Sequence, residues 1–202
     1  MNSLNQYWQD SFGGSRCDLF EGLVSRYSEP HRYYHNIEHI RKCLSFLGEF
    51  SVTNIRVCSA FIWYHDAVYI PFSSSNEEDS ARLAVHELNG LLTKSEIDLV
   101  EKYILSTKNH RSDPSDEDQS LLLDIDMSIL GSNEAEYLEY RNQIFDEYFP
   151  DGYPDDFDKF KVGRSKFIRS VLLNPIYSTK VMGERFESQA RKNLEMELLS
   201  YQ

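Results

Sequence analysis

The sequence has few of the features that mark secreted proteins. Its cysteines are an odd number at no metal-like spacing, and they are Cys17, Cys43 and Cys58. We interpret them as reduced core thiols, as is usual in the cytosol. The N-terminal segment MNSLNQYWQDSFGG has neither a basic nor an apolar region. The sequence therefore predicts that no signal peptide is present.

Long hydrophobic runs are also absent. The longest apolar stretch, around residues 57–70, contains His65 and Asp66. It is too short and too polar to span a bilayer. The sequence thus predicts a cytoplasmic protein that does not bind membranes.

Glycine and proline are scarce, with 9 and 6 among 202 residues, while 13% of the residues are aromatic. A disordered chain would lack so many aromatics, so the composition indicates a folded globular protein. The length fits one ordinary domain, and no repeat or linker is visible. We therefore predict a single domain over residues 1–202.

Positive charge is in deficit, because 21 Lys and Arg against 33 Asp and Glu give a net charge of −12. Stable binding to nucleic acid or to an anionic membrane is unfavourable over most of such a surface. A phosphorylated substrate would need local positive charge, from a metal ion or from a few basic side chains. The segment 161–192 is locally basic, and we interpret most of it as a solvated helix surface.

The apolar residues recur at intervals of three and four rather than two, which indicates helices and not strands. We predict an all-α helical bundle with helices at 16–27, 36–49, 54–66, 78–91, 94–107, 117–130, 133–148, 157–173 and 183–200. Ser15 and Asn36 are predicted N-caps, and Gly131 follows an apolar run as a helix-terminating glycine does. The polar segments 71–78 and 108–118 are predicted loops.

Two histidines lie four residues apart in the motif YHNIEHI, at residues 34–40. If a helix begins at Asn36, His35 and His39 lie about one turn apart on the same side. His39 borders the apolar stripe of that helix. A single bordering histidine is more often a core residue with a satisfied hydrogen bond, so the pair alone favours a metal site only modestly.

The adjacent pair His65 and Asp66 ends the apolar stretch in the motif WYHDAV. Helical spacing places His65 on the same face as Phe61, so His65 is predicted to point into the core with Asp66 beside it. Burying an ionised carboxylate is costly unless it is paired or bound to a metal. A metal ion is one explanation of this pair, and a nearby Arg or His is the other.

A third polar position lies in the motif LLLDIDMSIL, at residues 121–130. Asp126 is the only polar member of an apolar helix face, so its carboxylate is predicted to point inward. Asp124 falls on a more polar side, where we expect it to be solvated or to contact a ligand rather than the ion.

Together these motifs provide a mixed nitrogen and oxygen donor set for a divalent cation: His39, His65, Asp66 and Asp126. Such an ion could lower the pKa of bound water and supply a hydroxide nucleophile. The set does not choose among Mn²⁺, Fe²⁺, Co²⁺, Ni²⁺, Zn²⁺ and Mg²⁺.

The order His, His-Asp, Asp on consecutive helices resembles the HD superfamily of metal-dependent phosphohydrolases. The motif HD alone carries little information. The combination of EPHRYYHNIEHI, an apolar-flanked HD, NEEDSA and LDIDMSILG resembles the predicted HD-type metal-dependent phosphohydrolases of similar length. The tail IYSTKVMGERFESQARKNLEMEL is similar to that group as well. The YHNxxH form also resembles cyclic-nucleotide phosphodiesterases, which implies that His39 is a metal ligand and His35 the general acid.

The resemblance implies a metal-dependent phosphohydrolase acting on a nucleotide or another small phosphorylated metabolite, with metal-bound hydroxide attacking phosphorus. Related hydrolases place carboxylates where Glu77 and Glu78 lie, to orient water or hold a second metal; an acidic first helical turn is the equal alternative. Some HD enzymes carry an extra histidine where His110 lies, as a phosphate contact or second-metal ligand; an exposed loop histidine is the alternative. Arg111 adjoins it as a further candidate for binding the substrate, and Arg32 could bind a phosphate through two hydrogen bonds.

Two other functions stay open from the sequence. One is an HD-type di-iron oxygenase, for which Glu78 and His110 are the candidate additional ligands. The other is a non-catalytic nucleotide-binding module. The fold does not choose among them, because function depends on the site.

Overall fold

The computed structural model describes residues 3–153 and 155–201, and within these it is helical. Their only extended pairing is an isolated bridge between Asn89 and Leu92, so the predicted all-α class is confirmed. None of the described helices is long and apolar enough to cross a membrane. The elements are α1 (Leu4–Phe12), α2 (Cys17–Arg26), α3 (Ile37–Leu47), α4 (Ile55–Tyr64), α5 (Asn76–Glu87), α6 (Lys94–Ser106), α7 (Glu117–Asp126), a 3₁₀ segment (Met127–Gly131), α8 (Glu134–Tyr148), α9 (Asp156–Leu172) and α10 (Lys180–Leu199).

Each predicted helix has a counterpart, whereas α1 was not predicted. The predicted helix at 117–130 is α-helical only to Asp126 and then tightens into the 3₁₀ segment. Asn36 is confirmed as an N-cap, because its side chain accepts from a first-turn N–H. Ser15 is wrong as an N-cap, because Arg16 takes that position with a left-handed backbone at φ 55°. Cys17 is exposed rather than in the core, while the other two cysteines are buried.

Contacts divide the chain into two compact units, one reaching to Leu123 and the other beginning at Asp124. The prediction of a single domain stays a prediction. In the first unit α4 packs against α1, α3, α5 and α6, and α5 packs against α6. Residues 57–64 of α4 are all buried, and a helix that is apolar all round belongs inside a core. Thus α4 is the central helix of this unit, and His65 follows its last residue.

Side chains tie together the starts of α4, α6 and α7, and we call this set the helix-start network: Asn54, Thr93, Glu96 and Asp118. Asn54 caps α4 and donates from Nδ2 to Glu96 Oε1 at 3.1 Å. Glu96 forms a capping box with Thr93 at the start of α6. Asp118, in the first turn of α7, accepts from the backbone N–H groups of Thr53 and Asn54. The network fixes the end of α4 that lies opposite His65.

In the second unit, α8 and α10 each pack against α9 and the 3₁₀ segment. Gly131 lies so close to α10 that an added Cβ would be 2.6 Å from Phe186 Cβ and 2.9 Å from its carbonyl oxygen. Gly131, predicted to terminate a helix, is thus needed for a close approach to the backbone of a neighbouring helix.

We expect Gly131→Ala to lower the free energy of unfolding by about 1–3 kcal/mol, as overpacking does elsewhere. The added methyl group would meet a backbone oxygen, which moves only if α10 shifts. Gly183→Ala on α10 is the matched control, because no atom lies within 4 Å of its added Cβ. Helix propensity predicts that this control is about 0.5–1 kcal/mol more stable. Urea unfolding of both variants is the measurement, and wild-type stability of Gly131→Ala would contradict the contact.

A buried ion pair joins α9 to α10 in the second unit. Arg164 Nε donates to Glu197 Oε1 at 2.9 Å, and both side chains are almost fully buried. Arg164 Nη1 donates to the Tyr140 hydroxyl at 3.1 Å, while the hydroxyls of Tyr137 and Tyr201 donate to the Glu197 carboxylate. Burial alone would raise the pKa of Glu197, but the charge and hydrogen bonds of Arg164 and both tyrosines hold the pKa below its ordinary value.

The lowered pKa of Glu197 makes its contribution to stability depend on pH. A carboxyl with a lower pKa when folded stabilises the protein above its unfolded pKa of about 4.3, and this contribution is lost as pH falls through the folded value. At pH 7, Glu197→Gln should cost about 3–5 kcal/mol, because Arg164 is left buried without its counter-charge. Urea unfolding at several pH values should show this difference shrinking below about pH 4. A difference that stays constant down to pH 3 would argue against the assignment.

Candidate metal centre

The motif YHNIEHI places two imidazole rings next to each other. The Asn36 side chain accepts from Glu38 N at 2.8 Å and starts α3, so His39 lies in the first turn, where it is buried. His35 precedes the helix, half-buried, with its ring stacked on Tyr69 at 4.2 Å between centroids. The ring centroids of His35 and His39 are 6.1 Å apart. One ring thus faces the core, and its neighbour is partly open to solvent.

His65 ends the central helix, and its ring is fixed by a backbone carbonyl. Its Nδ1 lies 2.9 Å from the carbonyl oxygen of Ile62, and the ring stacks on Phe61 at 5.2 Å between centroids. A carbonyl oxygen only accepts, so Nδ1 carries the proton and a neutral ring presents a lone pair at Nε2. Metal-binding histidines are commonly oriented in this way.

Four predicted ligands come together in one cluster, the metal cluster: His39, His65, Asp66 and Asp126. One ligand atom from each lies within 4.8 Å of every other. His39 Nε2 is 3.2 Å from His65 Nε2, and Asp66 Oδ2 is 3.2 Å from His65 Nε2 and 3.9 Å from His39 Nε2. The two histidines are buried, and the two aspartates are half-buried.

These separations fit a shared divalent cation. Ligands about 2.0–2.2 Å from one ion lie about 3.3–3.6 Å apart in a tetrahedron. In an octahedron, adjacent ligands lie about 2.8–3.1 Å apart and opposite ones about 4.0–4.4 Å apart. The two carboxylates balance a double positive charge, and Nε2 of His65 presents a lone pair toward Nε2 of His39. The metal cluster can therefore hold a metal ion, with the donor set leaving its identity open.

Asp126 and Asp124 have different roles, although only one residue separates them. Asp126, the last residue of α7, belongs to the metal cluster, and Asp124 does not. The expectation that Asp124 is solvated is wrong, since it is buried and accepts from Ser178 N at 2.8 Å and from Thr179 N and Oγ1, each at 2.7 Å. Burial raises the pKa of Asp124, and these donors counter part of that effect. Asp124 thus holds the start of α10.

Arg32, predicted to bind phosphate, is engaged by the protein itself. Its side chain is fully buried, and its guanidinium donates to the carbonyl oxygens of His35, Asp66 and Ala67. A phosphate could reach the guanidinium only if some of these bonds broke. The role in substrate binding stays a prediction, and the contacts favour a role in holding the backbone.

Glu77 and Glu78 lie in the first turn of α5, outside the metal cluster. Lys108 Nζ pairs with the Glu78 carboxylate, lies 4.0 Å from Glu77 Oε2 and donates to the Ser74 carbonyl at 2.8 Å. The hydrogen bond from Lys108 lowers the pKa of Glu78. Lys108, just after α6, thus links that segment to the loop after the HD motif and to the first turn of α5. The predicted role of the glutamates in orienting water stays a prediction.

His110 and Arg111 follow α6 on an exposed loop. His110 adopts a left-handed backbone at φ 49°. Neither residue belongs to the metal cluster. Their proposed contacts with phosphate or a second metal stay predictions.

Tyr69 was not identified from the sequence, although its ring stacks on His35 and its carbonyl oxygen lies 2.8 Å from His31 Nε2. Helical periodicity cannot reveal this residue, because α4 ends at Tyr64 and Tyr69 lies in the irregular segment that follows. An aromatic residue just after a candidate HD motif is the only signal that the sequence offers.

Comparison with models of protein families, with curated proteins and with solved structures finds no match for this chain. The all-helical structure and the metal cluster are compatible with an HD-type domain.

Proposed function

We propose that this protein is a metal-dependent phosphohydrolase that acts on a small phosphorylated metabolite, such as a nucleotide. The observation that supports the proposal is the metal cluster, in which one donor atom from each of two imidazoles and two carboxylates lies within 4.8 Å of every other. The resemblance of its motifs to HD-type phosphohydrolases gives the reaction class.

In this proposal His39, His65, Asp66 and Asp126 hold the ion. A bound divalent ion would act as a Lewis acid toward a phosphoryl oxygen and make water a better nucleophile at neutral pH. It would also supply the positive charge that a chain of net charge −12 otherwise lacks. At this site the ion would offset the repulsion between a phosphate and the negatively charged chain.

His35 is the proposed proton donor to the leaving oxygen. Its half-buried ring lies beside His39, so a phosphate held at the metal cluster would place its leaving group within reach of that ring. Histidine is suited to this role because its ordinary pKa lies near neutrality. Stacking on Tyr69 at 4.2 Å holds the plane of the ring.

The test combines metal analysis with a substrate screen. The protein, purified anaerobically, is assayed for metal content and then against phosphorylated metabolites with added Mn²⁺, Co²⁺, Ni²⁺ or Mg²⁺. We expect metal-stimulated release of phosphate or a phosphorylated fragment, and its loss in the His39→Ala control. Two irons per chain would instead favour an oxygenase. Tight metal or nucleotide binding without turnover would favour a non-catalytic module.

A further inference from the structure

We propose that Arg32 is a positioning residue that fixes the proton donor His35 and the metal ligand Asp66 in position relative to each other. The inference rests on the proposed function, because it assigns Arg32 a part in that same site. Arg32 does not touch the substrate in this assignment. It acts through the backbone of the two segments that carry the reacting groups.

One nitrogen of Arg32 joins the two segments directly. Nη1 donates to the carbonyl oxygen of His35 at 3.0 Å and to that of Asp66 at 2.8 Å, while Nη2 donates to the carbonyl of Ala67 at 3.2 Å. The YHN segment and the HD segment are far apart in sequence, and neither is helical at these positions. Without the guanidinium these carbonyl groups would lose their shared donor.

The guanidinium is itself held in place by its surroundings. Its Nε donates to Glu29 Oε2 at 3.0 Å, and its central carbon lies 5.1 Å from the ring centroid of Tyr27 and 5.7 Å from that of Tyr69. Tyr69 in turn stacks on His35. Arg32 thus contacts His35 at its carbonyl group and also contacts Tyr69, on which the ring of His35 stacks.

Only a planar group with several N–H donors can make these contacts together. A lysine has the same charge but one compact ammonium on a flexible stem, so it cannot reach all three carbonyl groups. A small displacement of a reacting group can slow an enzyme by about 10²-fold. The contacts therefore predict that Arg32→Lys alters both metal binding and proton donation.

The experiment compares Arg32→Lys with Arg56→Lys, in the full chain. Arg56 is the matched control because its Nη2 donates to the Leu91 carbonyl at 2.6 Å in the same unit, at the opposite end of α4 from His65. Titration of the metal-free proteins with Mn²⁺ in a calorimeter measures the Kd. We expect Arg32→Lys to bind Mn²⁺ about 10–100-fold more weakly, as for other groups that orient metal ligands. The control should bind like the wild type.

A second readout is the dependence of rate on the leaving group, using a nitrophenyl ester and an alkyl ester of the phosphate class that the enzyme hydrolyses. A displaced His35 should slow the alkyl ester about 10-fold more than the nitrophenyl ester, because only the poor leaving group needs the proton. A partly unfolded variant would lose both rates equally. Thermal melting of the metal-free proteins gives the folded fraction.

If Arg32→Lys does not fold, Glu29→Gln takes its place, since it removes the charged acceptor of Arg32 Nε and leaves Arg32 present. It should weaken Mn²⁺ binding in the same direction, and an unchanged Kd would overturn the inference. An unchanged Kd and an unchanged ratio of rates in folded Arg32→Lys would also overturn it. A wild type that binds Mn²⁺ and hydrolyses phosphate esters leaves the proposed function intact in either case. If the wild type binds no metal, both fail.

Discussion

Asp126→Ala should lose its bound metal and with it all metal-dependent hydrolysis. Asp126 supplies one of two carboxylates in the metal cluster, so the substitution removes a ligand and half of the negative charge that balances the ion. We expect metal affinity to fall by at least about 100-fold, the upper range for residues that only orient ligands. The measurement is metal content per folded chain after dialysis against a low concentration of free metal.

Asp124→Asn is the control for Asp126→Ala. Asp124 lies two residues before Asp126 on the same helix, but its carboxylate accepts from Ser178 and Thr179. We expect this variant to keep its metal and to unfold at a lower temperature, because weaker acceptors hold the start of α10. If Asp124→Asn loses the metal and Asp126→Ala keeps it, the assignment of the ligand at the end of α7 is wrong.

His35→Ala should keep its metal and slow turnover by about 10²–10⁴-fold, the usual contribution of a positioned general acid. His35 lies outside the metal cluster, so its removal leaves the ligand set complete. The loss should be smaller for a nitrophenyl ester, whose leaving oxygen is already a stable anion. Rates on good and poor leaving groups, measured beside metal content, test both parts of the assignment.

The matched control is His86→Ala, which removes an exposed histidine from α5 in the same unit and should change neither quantity. Equal rate losses on the two substrates, with the metal still bound, would count against His35 as the acid. That result would instead assign His35 to binding the phosphate.

The helices that could be predicted are those with local signals in their own sequence, such as a capping residue or apolar periodicity. Asn36 caps α3, and the apolar periodicity of α3 and α6 gives both helices within a few residues. By contrast α1 is short and largely polar, and Trp8 anchors it to α4 by packing edge-on against Trp63 at 5.7 Å between centroids. A contact between residues so far apart in sequence has no local signal.

Three members of the metal cluster were predictable because each is a polar residue on or beside an apolar helix face: His39, His65 and Asp126. Asp66 was predicted as the neighbour of His65. The cost of burying such a residue is a local property that needs a partner. The burial of Asp124 and Arg32 was not predictable in the same way, since the partners of Asp124 and two of the acceptors of Arg32 are distant in sequence. The burial of Asp124 is explained by its hydrogen bond from Thr179. The burial of Arg32 is explained in part by its hydrogen bond to the carbonyl group of Asp66. Sequence periodicity therefore indicates the members of the metal cluster, whereas the contacts that hold their backbone are seen only in the structure.

We expect the backbone N–H groups of Thr53, Asn54 and Thr93, which donate to carboxylates of the helix-start network, to exchange with solvent when the network opens. Because Asn54 bonds to Glu96 and Asp118 bonds to Thr53, opening one start breaks bonds of the others, and we expect the three starts to open as a cooperative group. The 10 residues of α4 span about 15 Å, so a helix start that the network holds in place gives His65 a rigid support. If an ion or a substrate binds at the metal cluster, we expect the motion that admits it in the irregular segments that contain His35 and Asp66.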